Sequence, residues 1–473
     1  MLLGKVAEEN YYVGQFGDAR LRKTGMHLLQ RIVERESVCL RRLSESRAEQ
    51  LRLGRWLSNP NVTRQEIARE ASKRTGELSS GLHVLAVHDT SELNYKAHAV
   101  RTEGLGKVGN NKDVGLFIHP MLVIDAASGA CLGLAHQHNW IRAEKGARQR
   151  AQAIEDKESY RWLEAAQAGK RCLDQAAMVT IIADRESDIY EEWDRIPDAK
   201  THLLTRVCRD RKLANGALLY DWLDQQAPRG CYVLPVMARP AKAGYVPGCP
   251  VMGKRTAHDA YMEVRYGEVE ILRPAKCEDK AAKKSIKLWV VEVKEQQASV
   301  VGDEEPIHWR LLTTHRLESV EAALQLVDWY CQRWQIEQLF RTLKKQGLNV
   351  ESSQLEDASQ LMKLASLATQ AAVRTMQLTM AREGNTEREA TDVFDDDETT
   401  VLAKLQPQLE GNTAKQKNPH PSGTLAWAGW MIARLGGWKG YASEAKPGPI
   451  TMLRGLERFA SIAQGWRLAN LCA

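Results

Sequence analysis

A chain of 473 residues is too long for one ordinary hydrophobic core and implies two or three domains. Apolar residues make up 43% of it, but no run of about twenty appears, so a globular protein is expected and a membrane-spanning helix is not. The formal net charge of +6 is too small to decide for or against a polyanionic partner.

The distribution of that charge says more. Residues 1–75 hold 15 Lys and Arg against 9 Asp and Glu, so the first sixth of the chain carries as much net charge as the whole. Basic helical segments neutralise phosphates, although a solvated helix face has the same composition. Glu8 and Glu9 do not suit a signal peptide. Nine cysteines are scattered from Cys39 to Cys472 without a Cys-x-x-Cys pair, so neither zinc nor disulfides are expected and a reducing cytoplasm fits.

In chain order, Leu21, Leu28, Leu29 and Ile32 recur at helical spacing, and residues 19–75 read as helices broken by the turn Ser58-Asn59-Pro60-Asn61. Thr63, with Glu66 three residues on, starts the next helix. Arg20, Arg22 and Lys23 are the candidate DNA contacts of this segment. The period then changes. Leu82–Val87, Phe117–Ile124 and Ala130–His136 read as strands, 152–175 as a helix, Val179–Ala183 as a buried strand, 187–194 as a helix and Leu203–Cys208 as a strand. Three strands, a helix, a strand, a helix and a strand give an α/β core with a mixed sheet. Residues 212–307 break the rhythm with β-rich runs at Tyr261–Leu272 and Ile286–Val293 and read as a β insertion. Trp309–Thr313 is the last strand, 319–346 one long helix and 356–383 another. Asp392–Glu398 reads as a solvated acidic linker, and Leu425–Leu435 as a Trp-rich apolar final helix.

Asp89 and Asp184 each follow an apolar strand, where side chains from neighbouring strands gather at one rim of a sheet. Carboxylates held there suit hard divalent cations, and two such ions activate a water or 3′-hydroxyl and stabilise the leaving oxygen at phosphorus. Either aspartate alone is more simply a turn or helix cap. Tyr330, Arg333, Glu337 and Lys344 fall on one face of the expected long helix, beside an apolar stripe of Ile336, Leu339, Phe340 and Leu343. From spacing alone an amphipathic surface helix with ordinary ion pairs is favoured.

The pattern Tyr330-x2-Arg333-x3-Glu337-x6-Lys344, preceded by Val87-His88-Asp89-Thr90-Ser91 and Ala183-Asp184-Arg185-Glu186-Ser187-Asp188, resembles the signature of the insertion-sequence-four family of bacterial DDE transposases. Asn59-Pro60-Asn61-Val62, Leu105-Gly106-Lys107, Asp156-Lys157-Glu158-Ser159 and Ile432-Ala433-Arg434-Leu435-Gly436-Gly437 extend the resemblance over most of the chain. It implies a ribonuclease-H-like catalytic core over residues 76–383 with a β-rich insertion, a helical DNA-end-binding domain over 1–75 and a helical dimerisation domain over 384–473. It implies Asp89, Asp184 and Glu337 as catalytic triad and metal ligands, with two Mg2+ ions per site, Mn2+ being an alternative. It places Trp309 where a flipped base is received, Tyr330, Arg333 and Lys344 on phosphates beside it, and Arg206 on DNA. Lys107 is a further phosphate candidate. The implied partners are double-stranded transposon ends, target DNA and a second protomer. The implied reaction is cut-and-paste transposition: nicking, hairpin formation, hairpin opening and strand transfer. Tyr190 and Phe340 stand where a relative has histidine. The competing readings are a nuclease on the same core and an inactive DNA-binding regulator.

Three other patterns are weaker. His136-x-His138 lacks a third metal ligand nearby, Gly104-x-Gly106-x-x-Gly109 does not open a long helix, and Trp427, Trp430 and Trp438 suit a core or dimer interface better than base stacking.

Overall fold

The computed structural model describes residues 13–109, 111–142, 153–240, 255–441 and 443–471. It divides into two compact units, one comprising Met1–Lys145, Ala168–Ala177 and Trp334–Ala473, the other Gly146–Gln167 and Met178–Arg333.

The first unit joins both ends of the chain. Its amino-terminal helices are Ala19–Arg35, Leu40–Leu43, Arg47–Ser58 and Arg64–Leu78. Asp18, Ser46 and Thr63 cap three of them by accepting from backbone N–H groups of the first turn. Strand Val114–Asp125 organises the sheet. It pairs antiparallel with His83–His88, Ser91–Asn94 and the short Gly106–Lys107, and also with Cys131–Trp140. Helix Ala358–Ala381 is buried along most of its length. Its Thr369 and Ser366 accept from Gln137 and Asn139 of strand Cys131–Trp140, which gives two buried amide N–H groups a partner.

The sequence reading of the carboxy-terminal region needs two corrections, and the structure decides one choice it left open, between core and dimer interface. The acidic stretch expected to be a linker starts helix Asp396–Leu409, because Asp395 and Glu398 form a capping box and acidic side chains favour a helix N-terminus. Helix Leu425–Leu435 is followed by another, Pro449–Leu471, and so is not the last. The apolar residues of Leu425–Leu435 pack inside their own chain, against Met452, Leu456 and Phe459 of the last helix and Phe394, Val401 and Leu402 before it.

The second unit holds the parallel strands Met178–Ala183 and Thr201–Arg206, joined through helix Tyr190–Arg195. Strand His308–Thr313 pairs antiparallel with Thr201–Arg206, and the sheet continues through Ser285–Glu295, His258–Leu272 and Gly230–Val236. The β insertion therefore extends this unit's sheet: the chain leaves at Arg206, builds three strands among the described residues and returns beside the strand it left.

Along the chain the core elements run as three antiparallel strands, a helix, a strand, a helix and a strand, the order of a ribonuclease-H-like α/β fold. No described helix is long and apolar enough to cross a membrane.

The expected single helix over 319–346 is two, Val320–Cys331 and Trp334–Leu343. At the junction Gln332 and Arg333 donate to the carbonyls of Trp329 and Tyr330, three residues back, so the turn tightens and the axis is interrupted. Tyr330, Arg333 and Glu337 thus do not share one continuous helix face, and Lys344 lies just past the second helix.

Candidate active site

In the second unit the parallel register sets the geometry. Ala183 lies opposite Thr205, so the next residues, Asp184 and Arg206, emerge side by side at the carboxyl edge of the sheet. The Asp184 carboxylate accepts from the Glu186 backbone N–H at 2.7 Å, which caps the turn Arg185–Ser187 and fixes the side chain. Arg206 donates from Nη2 to the His308 carbonyl at 3.2 Å. Leu311 of strand His308–Thr313 lies opposite Arg206, and two residues before it the strand carries Trp309, whose ring meets Tyr330 edge-on with centroids 5.9 Å apart.

His308 and Arg310 flank Trp309 and both donate to the buried Glu292 carboxylate, at 2.7 and 2.8 Å. Because strand side chains alternate, this anchor turns Trp309 to the other face of the sheet. The ring stays partly exposed there.

Burial pushes the Tyr330 hydroxyl up to about 12, so it is a neutral donor at physiological pH, even with the Arg333 and Arg206 charges pulling the other way. Burial also lowers Arg206, while Tyr330 and Asp184 act to hold its proton and Arg185 and Arg333 oppose them. Asp184, Arg206, Trp309, Tyr330 and Arg333 therefore form one neighbourhood: a carboxylate, two guanidiniums, a phenol and an indole. That set combines a cation ligand with phosphate donors and a stacking surface.

The remaining candidates lie in the first unit. Asp89 follows strand His83–His88, and its Oδ1 accepts from Thr90 N at 2.7 Å. Glu337 sits in the first turn of Trp334–Leu343, a helix anchored by buried Ile336, Leu339, Phe340 and Leu343. Lys107 is exposed on its short strand, and Arg20, Arg22 and Lys23 are exposed on the first turn and a half of Ala19–Arg35. Among the described residues no three His, Cys, Asp or Glu side chains are grouped as a metal cluster. The His136 pair of the sequence reading carries no ligand set either, and burial lowers the His136 pKa to about 4.

Two supporting groups escaped the sequence reading. Asp188, four residues after Asp184, is buried and paired with buried Arg211. Its carboxylate also accepts from Cys208 N at 2.9 Å and Arg209 N at 3.3 Å, tying the Asp184 turn to the segment after Arg206. Glu192 is also buried and accepts from the Ser187 hydroxyl at 2.6 Å. Burial raises its pKa from the ordinary 4.5 to about 8, with Asp188 adding to the effect and Ser187 opposing it. A carboxyl raised on folding contributes stability below its unfolded pKa and loses that contribution as pH rises through the folded value. The melting temperature of the protein should therefore fall between pH 4.5 and about 8. Glu192→Gln should flatten that decline, and a variant whose melting curve tracks the parent across the window would remove Glu192 as its source.

Residues 164–371 match the family model described as Transposase DDE domain. The matched span contains Asp184, Arg206, Trp309, Tyr330, Arg333, Glu337 and Lys344, and begins after Asp89. A solved structure described as the cryo-EM structure of piggyBac transposase synaptic complex with hairpin DNA aligns over 96% of this chain and 72% of that one, at TM-score 0.37 and 10% identity. The match covers less than half of the chain and likens that segment to a transposase DDE domain, an enzyme class of polynucleotide strand cleavage and transfer whose chemistry works with divalent metal ions.

Proposed function

We propose that this chain is a cut-and-paste DNA transposase of the insertion-sequence-four type, with Asp89, Asp184 and Glu337 as its three catalytic carboxylates. The observation that carries the reading is the neighbourhood of Asp184, Arg206, Trp309, Tyr330 and Arg333, built at a strand-end rim inside the matched transposase span. All three proposed ligands are carboxylates, which suits Mg2+ or Mn2+, and Asp89 and Asp184 each accept from a backbone N–H one or two residues on. Two bound ions would activate the attacking oxygen and stabilise the leaving one.

The residues of this chain supply the rest. Arg206, Arg333 and Lys344 hold phosphates by charge-assisted hydrogen bonds, and Tyr330 donates as a neutral phenol. Trp309 offers its partly exposed ring to a base extruded from the duplex. Residues 1–75, with Arg20, Arg22 and Lys23 on an exposed helix start, read the transposon end, and Lys107 adds a phosphate contact. A second protomer pairs the two ends through the C-terminal helices. Exposed Ile462 and Leu468 on the last helix support that face, since the apolar side of Leu425–Leu435 is already covered within the chain.

Hairpin formation separates this reading from a nuclease on the same core, because a 3′-hydroxyl crosses the duplex only if the DNA is sharply distorted. Extruding a base costs a few kcal/mol, and stacking on an aromatic ring recovers about 1–3 kcal/mol. Trp309→Ala is therefore expected to keep first-strand nicking and to slow hairpin formation by roughly 5–150-fold, the kinetic equivalent of that stacking energy. The assay uses duplexes carrying the DNA that flanks the coding region, resolved on denaturing gels. An abasic site at the extruded position should partly rescue the variant. A protein that nicks these ends and never forms a hairpin with any flank would be a nuclease.

A further inference from the structure

We infer that His119 and Pro120 are positioning residues for Asp89: they interrupt a strand at that residue and hold both sides of the interruption. The inference rests on the reading of Asp89 as a catalytic ligand. Strands His83–His88 and Ser91–Asn94 pair with Val114–Asp125 in one unbroken register, from Val84 opposite Asp125 to His88 opposite Met121, then from Ser91 opposite Ile118 to Asn94 opposite Gly115. They are therefore one strand with a gap at Asp89 and Thr90, and the register places Asp89 opposite Pro120 and Thr90 opposite His119.

The direction of the backbone groups explains the gap. Tyr95 N donates to the Val114 carbonyl, and Ala126 N donates to the His83 carbonyl. Even-numbered residues of Val114–Asp125 therefore direct their backbone groups toward this strand, since the two edges alternate along a ladder. Pro120 is one of them, and proline has no N–H to give. The ladder thus lacks the Pro120 donor opposite the carbonyl of Asp89, and the strand assignment is interrupted at the two residues Asp89 and Thr90.

The side chain next door bridges the break. His119 Nε2 shares a hydrogen bond with His88 Nδ1 at 3.1 Å, and His119 Nδ1 shares one with Thr90 Oγ1 at 2.9 Å. A neutral imidazole has one donor and one acceptor nitrogen, so a single ring grips the residue before Asp89 and the residue after it. Both histidines are fully buried, where such a bridge is rigid. Asp89 is then held at both flanks where the strand is interrupted. A regular strand would have set the aspartate by the pleat instead.

The test uses the full-length chain and four variants: Pro120→Ala, Thr90→Val, Thr90→Ser and Asp89→Asn. Three quantities are measured: the melting temperature without metal, the affinity for Mn2+ alone by calorimetry, and nicking of supercoiled plasmid in Mn2+ resolved into kcat and KM. Pro120→Ala restores the missing donor. It should melt at the parent's temperature or above, yet bind Mn2+ and turn over 10–100-fold more weakly, the usual range (about one to two decades) for losing a group that orients a ligand. Thr90→Val removes the bridge without changing shape and should show the same losses in Mn2+ affinity and kcat with KM unchanged, and Thr90→Ser should restore both. A purely structural bridge would move the melting temperature and leave the metal affinity of the folded protein alone. The inference is overturned if Pro120→Ala and Thr90→Val both keep parental Mn2+ affinity and kcat while Asp89→Asn loses them. If Asp89→Asn itself keeps them, the assignment of Asp89 fails and this inference falls with it.

Discussion

Replacing any one of Asp89, Asp184 or Glu337 is expected to lower strand cleavage by on the order of 10^4–10^6-fold, the range seen when one member of a catalytic unit is removed, and to leave DNA binding within about twofold, because duplex affinity comes chiefly from phosphate contacts made elsewhere. The choice of substitution decides what is learned. Asp184 also caps the turn Arg185–Ser187, so Asp184→Ala removes a charge and a cap together. Cap loss costs about 1 kcal/mol on its own. Asp184→Asn keeps the oxygen that accepts from Glu186 N and removes only the charge, and Asp89→Asn does the same toward Thr90 N. The amide variants should therefore fold and bind as the parent does and fail at cutting. Chelation of divalent ions should reproduce the defect in the parent, and adding Mn2+ back should restore the parent but not the variants. Nicking gels and gel shifts on the same duplex measure both halves. Near-normal cutting by Asp184→Asn would remove it from the metal site and leave its cap as its only role.

Much of this arrangement was legible in the sequence, and what was not shares a physical cause. Apolar runs bounded by turn residues marked Val179–Ala183 and Trp309–Thr313 as strands, and the structure places strands at Met178–Ala183 and His308–Thr313. Helix Leu425–Leu435 has the same limits in both. Local pattern is enough when a segment's own residues decide its state. It fails where a distant partner or a single turn decides. The helix break at Gln332 and Arg333 is a matter of two hydrogen bonds, which no periodicity reports. The acidic stretch before Leu402 looked like a solvated linker by charge, whereas Asp395 and Glu398 use that charge to start a helix. The last helix, Pro449–Leu471, opens with proline and glycine neighbours, so its buried Met452, Leu456 and Phe459 did not read as one face. Trp309 shows the middle case. Its strand was visible, but its exposure follows from Glu292 gripping His308 and Arg310, and that carboxylate lies on another strand.

The same limit hid the ion pair on which the Asp184 turn rests, since Asp188 and Arg211 are 23 residues apart and no spacing rule links them. Their separation by burial is small: side-chain exposure is 1% for Asp188 and 4% for Arg211. The guanidinium donates from Nε at 3.0 Å and from Nη2 to the same carboxylate oxygen, and Nη2 also donates to the Asp188 carbonyl at 2.8 Å. Water cannot replace either partner at that depth. Removing one charge strands the other, at a cost of about 3–5 kcal/mol, whereas replacing both with apolar groups of similar volume is often neutral. Arg211→Met and Asp188→Leu should therefore each lower the melting temperature sharply, and the double variant should recover most of the loss. Function should not recover with it. Cys208 N and Arg209 N would still lack the Asp188 oxygen that holds the Asp184 turn against the segment after Arg206. The double variant is thus expected to be folded, to bind DNA, and to cut it at least about tenfold more slowly, as when a group that orients a metal ligand is lost. Melting curves and hydrogen exchange at residues 184–211 report the first half, and nicking rates the second. Single variants that melt with the parent would show that the pair contributes little to the fold. A double variant that regains both stability and full cutting would show that the pair stabilises the sheet without placing Asp184.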